Sequence, residues 1–213
     1  MNSFIYLASQ SPRRRQLLEQ LGVRHQLLLP GSQEDSEALE AVLPNEAPRA
    51  YVRRVTQLKL DAALQRLKRR GLPPAPVLCS DTSVACGRTI YGKPTDHADA
   101  IRMLAELSGR THRVLTAVAL GTSRRRAQAL SESRVTFDAL TEKQIQCYVA
   151  CGESLGKAGA YAVQGRAAAF ISHISGSYSG IMGLPLFETA ALLRSFGLYE
   201  TLRDRSLALS STD

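Results

Sequence analysis

The sequence of 213 residues contains no tryptophan, and aromatic residues make up only 6% of it. Proteins that bind single-stranded nucleic acids commonly stack bases on aromatic side chains that are interleaved with basic ones. The scarcity of aromatic residues counts against a nucleic-acid-binding protein. The net charge of +8, from 27 basic and 19 acidic residues, nevertheless keeps that alternative open.

Cysteines are also few and are not arranged in pairs. The four residues, Cys79, Cys86, Cys147 and Cys151, include no CxxC pair, and Cys79 and Cys147 lie in apolar stretches. This pattern is typical of buried, reduced thiols, whereas a disulfide framework or a zinc site needs paired cysteines.

Long apolar runs are missing as well. A membrane-spanning helix needs about 18 or more consecutive apolar residues, and a secretory signal peptide places a basic stretch before a shorter apolar run. The sequence has neither pattern. We therefore expect a soluble, cytoplasmic protein without a membrane partner.

The first helix has an unusual first turn. Residues 4–8 predict a buried strand, and Ser11 and Pro12 are typical N-cap and first residues of the helix that follows. Residues 13–15 are all arginine, although each cation in a first turn is disfavoured by about 0.3–1 kcal/mol. A phosphate bound at the helix end would relieve this repulsion. Guanidinium groups that extend into solvent are the alternative.

The rest of the pattern predicts alternating strands and helices, followed by a long antiparallel hairpin. Strands are expected at 23–29, 76–80, 110–121, 127–138 and 167–174, a small hairpin at 83–91, and helices at 12–21, 48–70, 96–108, 141–151 and from 185. This order indicates one α/β domain over residues 1–200, with a mixed twisted sheet and flanking helices, and a polar tail at 201–213.

One lysine lies on the core-facing stripe of the long helix. Lys59 follows Val52 by seven residues and Val55 by four, so all three share a face. A lysine there must extend to solvent, pair with an acid or reach into a cleft, and spacing alone does not decide among these.

Several polar residues without an obvious structural role fall at the ends of predicted elements. The strand at 76–80 delivers Asp81 and Thr82 at its carboxyl end, where open α/β sheets bind ligands. Cations near two carboxylates suit a polyphosphate with a divalent metal. Asp81 is then the expected base and Glu34 a metal ligand, whereas an aspartate that forms a cap or a turn is the alternative. The other residues of this set are Ser9, Arg13, Lys93 and Gln164.

These stretches together resemble the Maf family of nucleoside triphosphate pyrophosphatases. The matching segments, in family order over roughly residues 3–197, are LASQSPRRR at 7–15, SDT at 80–82, GKP at 92–94, LSGRTH at 107–112, KAGAY at 157–161, QG at 164–165, GSY at 176–178 and GLPL at 183–186. No single motif is specific, but their combination at this spacing is.

The resemblance implies a fold similar to that of the inosine triphosphate pyrophosphatases, with two lobes around a nucleotide cleft. It implies hydrolysis of a nucleoside triphosphate to the monophosphate and pyrophosphate with a divalent cation, Mg²⁺ or Mn²⁺. By position, Asp81 matches the family's proton acceptor, and it would bind the metal together with Glu34. The positions that handle phosphates match Ser9, Arg13, Lys59 and Lys93.

The resemblance also indicates the base. The branch of the family that acts on dTTP and UTP is similar to this chain at Arg13, Thr82 and Gln164, whereas the branch that acts on 7-methyl-GTP tends to have Trp at the first position and Glu at the third. An amide both donates to and accepts from the imide edge of a pyrimidine, which suits Gln164. We expect hydrolysis of dTTP, UTP and modified pyrimidine nucleotides. The same chemistry on 7-methyl-GTP or another non-standard nucleotide is the alternative.

Some features stay open. Gln33 stands where a second acidic residue is common in the family, so a second carboxylate from this loop is in question. The acidic segment 32–48 is either a flap over a basic cleft or an ordinary solvated loop. Arg14 and Arg15 are expected only to adjust the electrostatic field at the helix start or to face solvent. The sequence is compatible with a homodimer.

Overall fold

Seven strands form one mixed sheet in the structure, a computed structural model that describes residues 4–31, 34 and 38–199. Across the sheet the order is β2-β1-β3-β5-β6-β7, and β4 pairs with β3. β1 is parallel to β2 and β3, and the later pairs are antiparallel. The predicted α/β class with a mixed sheet is therefore confirmed. The strands are β1 (Ile5–Leu7), β2 (His25–Leu27), β3 (Val77–Cys86), β4 (Thr89–Tyr91), β5 (Thr111–Gly121), β6 (Arg126–Phe137) and β7 (Ile171–Ser175).

Helices flank this sheet, and the starts of α1 and α4 follow the predicted capping signals. The Ser11 side chain accepts a hydrogen bond from the Arg14 backbone N–H, and Thr141 with Gln144 forms both halves of a capping box. The α-helices among the described residues are α1 (Pro12–Gln20), α2 (Pro48–Arg69), α3 (His97–Leu107), α4 (Glu142–Ala150), α5 (Tyr178–Met182) and α6 (Leu186–Ser195), and 3₁₀ helices cover Ala38–Glu40, Ala158–Ala160 and Arg166–Phe170.

Side-chain alternation along the central strands assigns a helix layer to each face of the sheet. Val77 and Cys79 of β3 pack in one cluster with Leu60 of α2. Leu78, between them, packs on the opposite face with Leu17 of α1 and with α6. A third cluster at the far end of the sheet joins α3 and α4 to β3, β5 and β6. Consecutive side chains of β3 therefore point to different helices.

One edge of β3 is unpaired in its middle among the described strands, and this gap determines where the site lies. β5 pairs with one side of β3 along residues 77–85, so β1 and β4 share the other side. β1 pairs there with Val77 and Leu78, and β4 pairs with residues 84–86. Among the described strands, residues 79–83 have no neighbour on that side. The β1–α1 turn lies beside this gap, since the Ala8 N–H donates to Leu78 O.

The strand predicted at 76–80 is too short. β3 continues to Cys86 because β5 pairs with residues 77–85 and β4 with residues 84–86. Asp81 and Thr82 therefore lie within the strand and not after it, which corrects the prediction. They still reach a ligand-accessible edge, because β1 ends at Leu7.

The strand predicted at 167–174 is wrong in its first half. Residues 166–170 form a 3₁₀ helix, because Glu153 accepts hydrogen bonds from the backbone N–H groups of Arg166 and Ala167 and so caps a helix start. β7 begins at Ile171, which pairs with Phe137.

The cysteine prediction holds for two of the four residues. Cys79 and Cys86 are buried, and all four thiols are free. Cys147 and Cys151 are exposed, because α4 buries the face that carries Ile145, Tyr148 and Val149. No helix among the described residues combines the length and apolar character that crossing a membrane requires. The predicted tail at 201–213 and Gln33 lie outside the described residues.

Candidate active site

A cleft of about 530 Å³ opens at the unpaired edge of β3. The β1–α1 turn, α2, β3, the segment after β4, residues 156–164 and the end of α5 all contribute to its wall. The structure brings together there most of the residues that the sequence predicts for the site: Ser9, Arg13, Lys59, Asp81, Thr82, Lys93 and Gln164.

The lining of the cleft is strongly cationic. Among the described residues that line it, six are basic and two, Glu40 and Asp81, are acidic. A concave surface with this excess of positive charge attracts polyanions. The basic residues are Arg13, Arg14, Lys59, Arg66, Lys93 and Lys157.

Lys59 contacts both acidic residues. Its Nζ lies 2.5 Å from Asp81 Oδ1 and 2.7 Å from Glu40 Oε1, and only 18% of its side chain is exposed. Lys93 Nζ lies 3.2 Å from Glu40 Oε2. Of the three arrangements open for Lys59 from spacing, pairing with an acid inside a cleft is the one observed. It arises because α2 lies over the face of β3 from which Asp81 projects.

Glu40 belongs to the acidic segment whose role the sequence leaves open. Burial opposes ionisation of Glu40, but the charges and hydrogen bonds of Lys59 and Lys93 outweigh it and lower the pKa of the carboxyl. The Tyr51 hydroxyl donates to Glu40 O at 2.9 Å. Burial, and then the charges of Asp81 and Glu40, raise the pKa of Tyr51 to about 12. One carboxylate of the acidic segment therefore does reach the basic cleft.

Arg14 lies in the cleft wall, which corrects the expectation that it only tunes the field or faces solvent. Its Nε donates to Gly183 O at 2.8 Å, and its terminal nitrogens lie 3.5 Å from Ser9 Oγ and 3.4 Å from Thr82 Oγ1. Arg15 does face solvent, where it pairs loosely with Glu19. The side chains of Arg14 and Arg15 point in different directions because consecutive residues of an α-helix are rotated by about 100° around its axis.

Thr82 and Ser80 fix the other face of β3 to the end of α5. Ser80 Oγ donates to Gly183 O at 2.9 Å, and the hydroxyls of Thr82 and Thr116 lie 3.0 Å apart. Gly183 has a φ of 116°, and a Cβ there would lie 3.4 Å from Arg14 Nε. Residues other than glycine rarely adopt this backbone conformation. On the same face, Thr82 Oγ1 lies 3.4 Å from a terminal nitrogen of Arg14. A contact between Thr82 and a nucleotide stays a prediction.

Arg13 and Lys157 also line the cleft. The Nε of Arg13 is buried, and none of the described residues offers it a hydrogen-bond partner. Burial lowers the pKa of Arg13 and, together with the charge of Arg13, that of Lys157. A bound anion would relieve both costs. Gln164 lines the cleft as well and is exposed.

Glu34 is not among the residues that line the cleft, although its partner Arg66 is. Its carboxylate contacts Arg66 and Arg69, each at 2.6 Å. The hydrogen bonds from Arg66 and the Gly31 N–H, with the charges of the two arginines, lower its pKa to about 2 against the effect of burial. The described structure places Glu40, not Glu34, beside Asp81. The metal-binding role of Glu34 stays a prediction.

Reasoning from the sequence missed several residues of the cleft. Lys157 lies in the KAGAY segment at 157–161, a matching motif that by itself assigns no role to the lysine. Arg14 differs from Arg15 only by its orientation around the helix, and Tyr51 and Glu40 lie far from Asp81 in the chain. No local pattern distinguishes these residues.

Comparison with known proteins gives consistent matches over nearly the whole chain. The family model described as "Maf-like protein" matches residues 4–196. A protein of Albidiferax ferrireducens named "dTTP/UTP pyrophosphatase" is 80% identical, over 92% of this chain and 98% of its own length. Proteins of the same name from Polaromonas sp. and Cupriavidus metallidurans are 71% and 64% identical, over 92% and 93% of this chain and 96% and 100% of their own lengths. A solved structure titled "The structure of the Staphylococcus aureus Ham1 protein" aligns with a TM-score of 0.38 and 10% identity, over 66% of this chain and 73% of that one.

Proposed function

This chain belongs to the Maf family, and from that premise we propose that it is a nucleoside triphosphate pyrophosphatase that hydrolyses dTTP and UTP to the monophosphate and pyrophosphate. One observation carries the proposal within this structure. The only two acidic residues among the described lining of a cationic cleft, Asp81 and Glu40, contact the same lysine. Relatives that match nearly the full chain are named for this activity.

Asp81 is the base in the proposed reaction. Release of pyrophosphate requires water to attack the α-phosphorus, so that a new P–O bond forms while the bond to the bridging oxygen of the β-phosphate breaks. Asp81 accepts the proton of that water, and the negative charge that develops moves onto the departing pyrophosphate. Lys59 fixes the orientation of the Asp81 carboxylate through their 2.5 Å contact.

The cations of the cleft bind and orient the triphosphate. Arg14 is held rigidly by Gly183 O and Ser9, so it presents its guanidinium at little entropic cost. Arg13 has a buried Nε to which no described residue is hydrogen-bonded, so it is available to a phosphate oxygen. Lys59 and Lys93 supply two further cations of the cleft. Together they neutralise the charge that a nucleoside triphosphate brings.

The residues present fit a divalent cation. Asp81 Oδ1 and Glu40 Oε1 both contact Lys59 Nζ, at 2.5 and 2.7 Å, so these two oxygens are at most 5.2 Å apart. The described residues contain no group of three His, Cys, Asp or Glu side chains that could hold a metal. Mg²⁺ commonly takes one or two carboxylates and completes its shell with phosphate oxygens and water. Asp81 and Glu40 would hold it. When bound, it would supply charge neutralisation at the phosphates.

Gln164 and Thr82 are the residues proposed for the choice of base and substrate. Gln164 is exposed at the cleft rim, where its amide is able to donate and accept on the edge of thymine or uracil. We extend the proposal to modified pyrimidine nucleotides that keep this edge, and to action in the cytoplasm, which the four free thiols support.

The experiment is pyrophosphate release from a panel of canonical and modified triphosphates, with Mg²⁺, with Mn²⁺ and with EDTA. We expect dTTP and UTP to be hydrolysed fastest and EDTA to abolish turnover. Faster hydrolysis of 7-methyl-GTP or GTP would contradict the proposed specificity, and full activity in EDTA would contradict the metal.

A further inference from the structure

Glu153 follows α4 and turns its carboxylate toward the segment that carries Gln164. Its Oε2 accepts a hydrogen bond from the backbone N–H of Arg166 at 3.0 Å, and its Oε1 accepts one from that of Ala167 at 3.4 Å. These are the first N–H groups of a 3₁₀ helix whose N-cap residue, Gly165, has no side chain to cap it. Such groups have no acceptor within their own helix. Glu153 supplies that acceptor from a different part of the chain.

Tyr148 connects the same carboxylate to the other end of the segment. Its hydroxyl donates to Glu153 Oε1 at 2.8 Å and accepts from the backbone N–H of Ala162 at 3.3 Å. Gln164 therefore lies between two backbone positions, Ala162 and Arg166, that one pair of side chains holds in place.

Gly165 shows how closely the carboxylate approaches this backbone. A Cβ at Gly165 would lie 2.2–2.3 Å from the carboxyl atoms of Glu153. The φ of Gly165 is −107°, which any residue adopts. Glycine is therefore required here by the position of Glu153 and not by backbone conformation. The absence of a side chain at Gly165, the residue after Gln164, allows the Glu153 carboxylate to lie this close to the backbone.

The charge of Glu153 also acts on two basic residues of the cleft, Arg13 and Lys157. Burial lowers the pKa of Arg13 and of Lys157, and the charge of Glu153 offsets part of each effect. Burial opposes the ionisation of Glu153 itself, but its three hydrogen bonds outweigh this and lower its pKa. Glu153 is therefore charged at neutral pH.

We propose that Glu153 is a positioning residue of the nucleotide site, which fixes the turn that presents Gln164 to the base. The inference rests on the proposed function, because it takes Gln164 as the contact to the base. It goes beyond that function by making base selection depend on a carboxylate that is not among the described residues lining the cleft.

Two substitutions test the positioning role. Glu153→Gln keeps the length of the side chain but removes its charge, and one of its two terminal atoms can no longer accept a backbone hydrogen bond. Glu153→Asp keeps the charge but is too short to reach both N–H groups. Both variants should lower kcat/KM for dTTP by about tenfold, mainly through KM, with GTP affected less.

Tyr148→Phe is a second variant, which removes the hydroxyl while keeping the ring in the core. It should lower the dTTP-to-GTP ratio of kcat/KM in the same direction. Glu142→Gln is the matched control, because it removes the same charge from an exposed position at the start of α4, the helix that Glu153 follows. Its ratio should equal that of the original protein.

Amide hydrogen exchange of residues 162–167 gives a readout that does not depend on turnover. Loss of protection at Arg166 and Ala167 in Glu153→Gln supports the positioning role. Unchanged protection overturns it, and so does an equal loss of activity on dTTP and GTP in all three variants. If the original protein does not hydrolyse dTTP, the proposed function fails, while the exchange experiment still decides the role of Glu153 in this segment.

Discussion

At the scale of single residues, the site depends on side chains whose partners lie far away in the chain. Lys59 comes from α2, Asp81 from β3 and Glu40 from a 3₁₀ helix, yet the three form one cluster. Each charge in this cluster is compensated by a neighbour, which is how charged groups are tolerated away from water. Substitutions in it therefore act on chemistry and on electrostatics together.

Replacement of Asp81 tests the base. Asp81→Asn keeps the shape of the side chain but cannot accept a proton, so kcat for dTTP should fall by about 10²–10⁴-fold. The measurement is pyrophosphate release at saturating dTTP. Asp61→Asn on the exposed side of α2, which removes a surface pair with Arg126, should leave kcat unchanged. An Asp81→Asn variant with normal kcat would show that another group accepts the proton.

Arg14 and Arg15 form a matched pair for the helix start. Arg14→Ala removes the donor to Gly183 O, so the free energy of unfolding should fall by about 1–3 kcal/mol and KM for dTTP should rise. Arg15→Ala removes an exposed side chain and should cost no more than about 0.5 kcal/mol. Urea unfolding and steady-state kinetics check both values. Equal effects of the two substitutions would contradict the orientation of α1.

Glu40 and Glu34 are distinguished by metal binding. Glu40→Gln should weaken Mn²⁺ binding by at least about tenfold, since the loss of even a group hydrogen-bonded to a ligand commonly costs 10–100-fold. Glu34→Gln should leave it unchanged, because Glu34 pairs with Arg66 and Arg69. The measurement is Mn²⁺ titration followed by EPR, with a non-hydrolysable dTTP analogue present. The opposite ranking would support the sequence-based prediction that Glu34 binds the metal.

At the scale of elements, the helix starts follow from the sequence while the ends of β3 do not. Ser11 with Pro12 and Thr141 with Gln144 fix helix starts through hydrogen bonds within a few residues, so local reasoning succeeds there. β3 extends past Ser80 because β5, whose partners for residues 81–85 lie 36 to 28 positions further along the chain, pairs with it there. Such pairing leaves little trace in the local sequence.

The connection from α5 to α6 provides a test at this scale. Gly183 and Gly22 both have positive φ, 116° and 66°, but only Gly183 has atoms within 4 Å of an added Cβ. Gly22→Ala should cost about 1–2 kcal/mol of unfolding free energy. Gly183→Ala should cost more, because a φ of 116° lies farther from the left-handed region near 57° that other residues adopt. It should also raise KM, because the Gly183 carbonyl accepts the hydrogen bond that orients Arg14. Urea unfolding of the two variants gives the comparison, and a Gly183→Ala variant as stable as Gly22→Ala would contradict the greater strain at Gly183.

At the scale of the whole molecule, one buried histidine links stability to pH. His112 in β5 is 1% exposed, and its Nε2 lies 2.8 Å from the Tyr161 hydroxyl. Burial lowers the pKa of His112 to about 4, from 6.5. Between these two values the unfolded chain binds a proton that the folded protein does not. The free energy of unfolding should therefore fall as pH drops from 6.5 to 4, by at most about 3 kcal/mol.

The measurement is urea unfolding at several pH values in this window, compared with His112→Gln. The variant has no imidazole to protonate, so its stability should depend less steeply on pH between 6.5 and 4. Carboxylates such as Glu34 contribute equally to both proteins and cancel in the difference. Parallel pH profiles would show that His112 is not the linked group.

The sequence by itself determined the α/β class, the helix starts, the family resemblance and most of the residues that meet in the cleft. These follow from hydrogen bonds, periodicity and motifs that act over a few residues. Only the tertiary structure decided that Arg14 enters the site while Arg15 does not, and that Glu40 rather than Glu34 lies beside Asp81. Arg14 meets Gly183 across 169 positions in the chain. Contacts of that range depend on how the sheet and helices pack, and no local pattern records them.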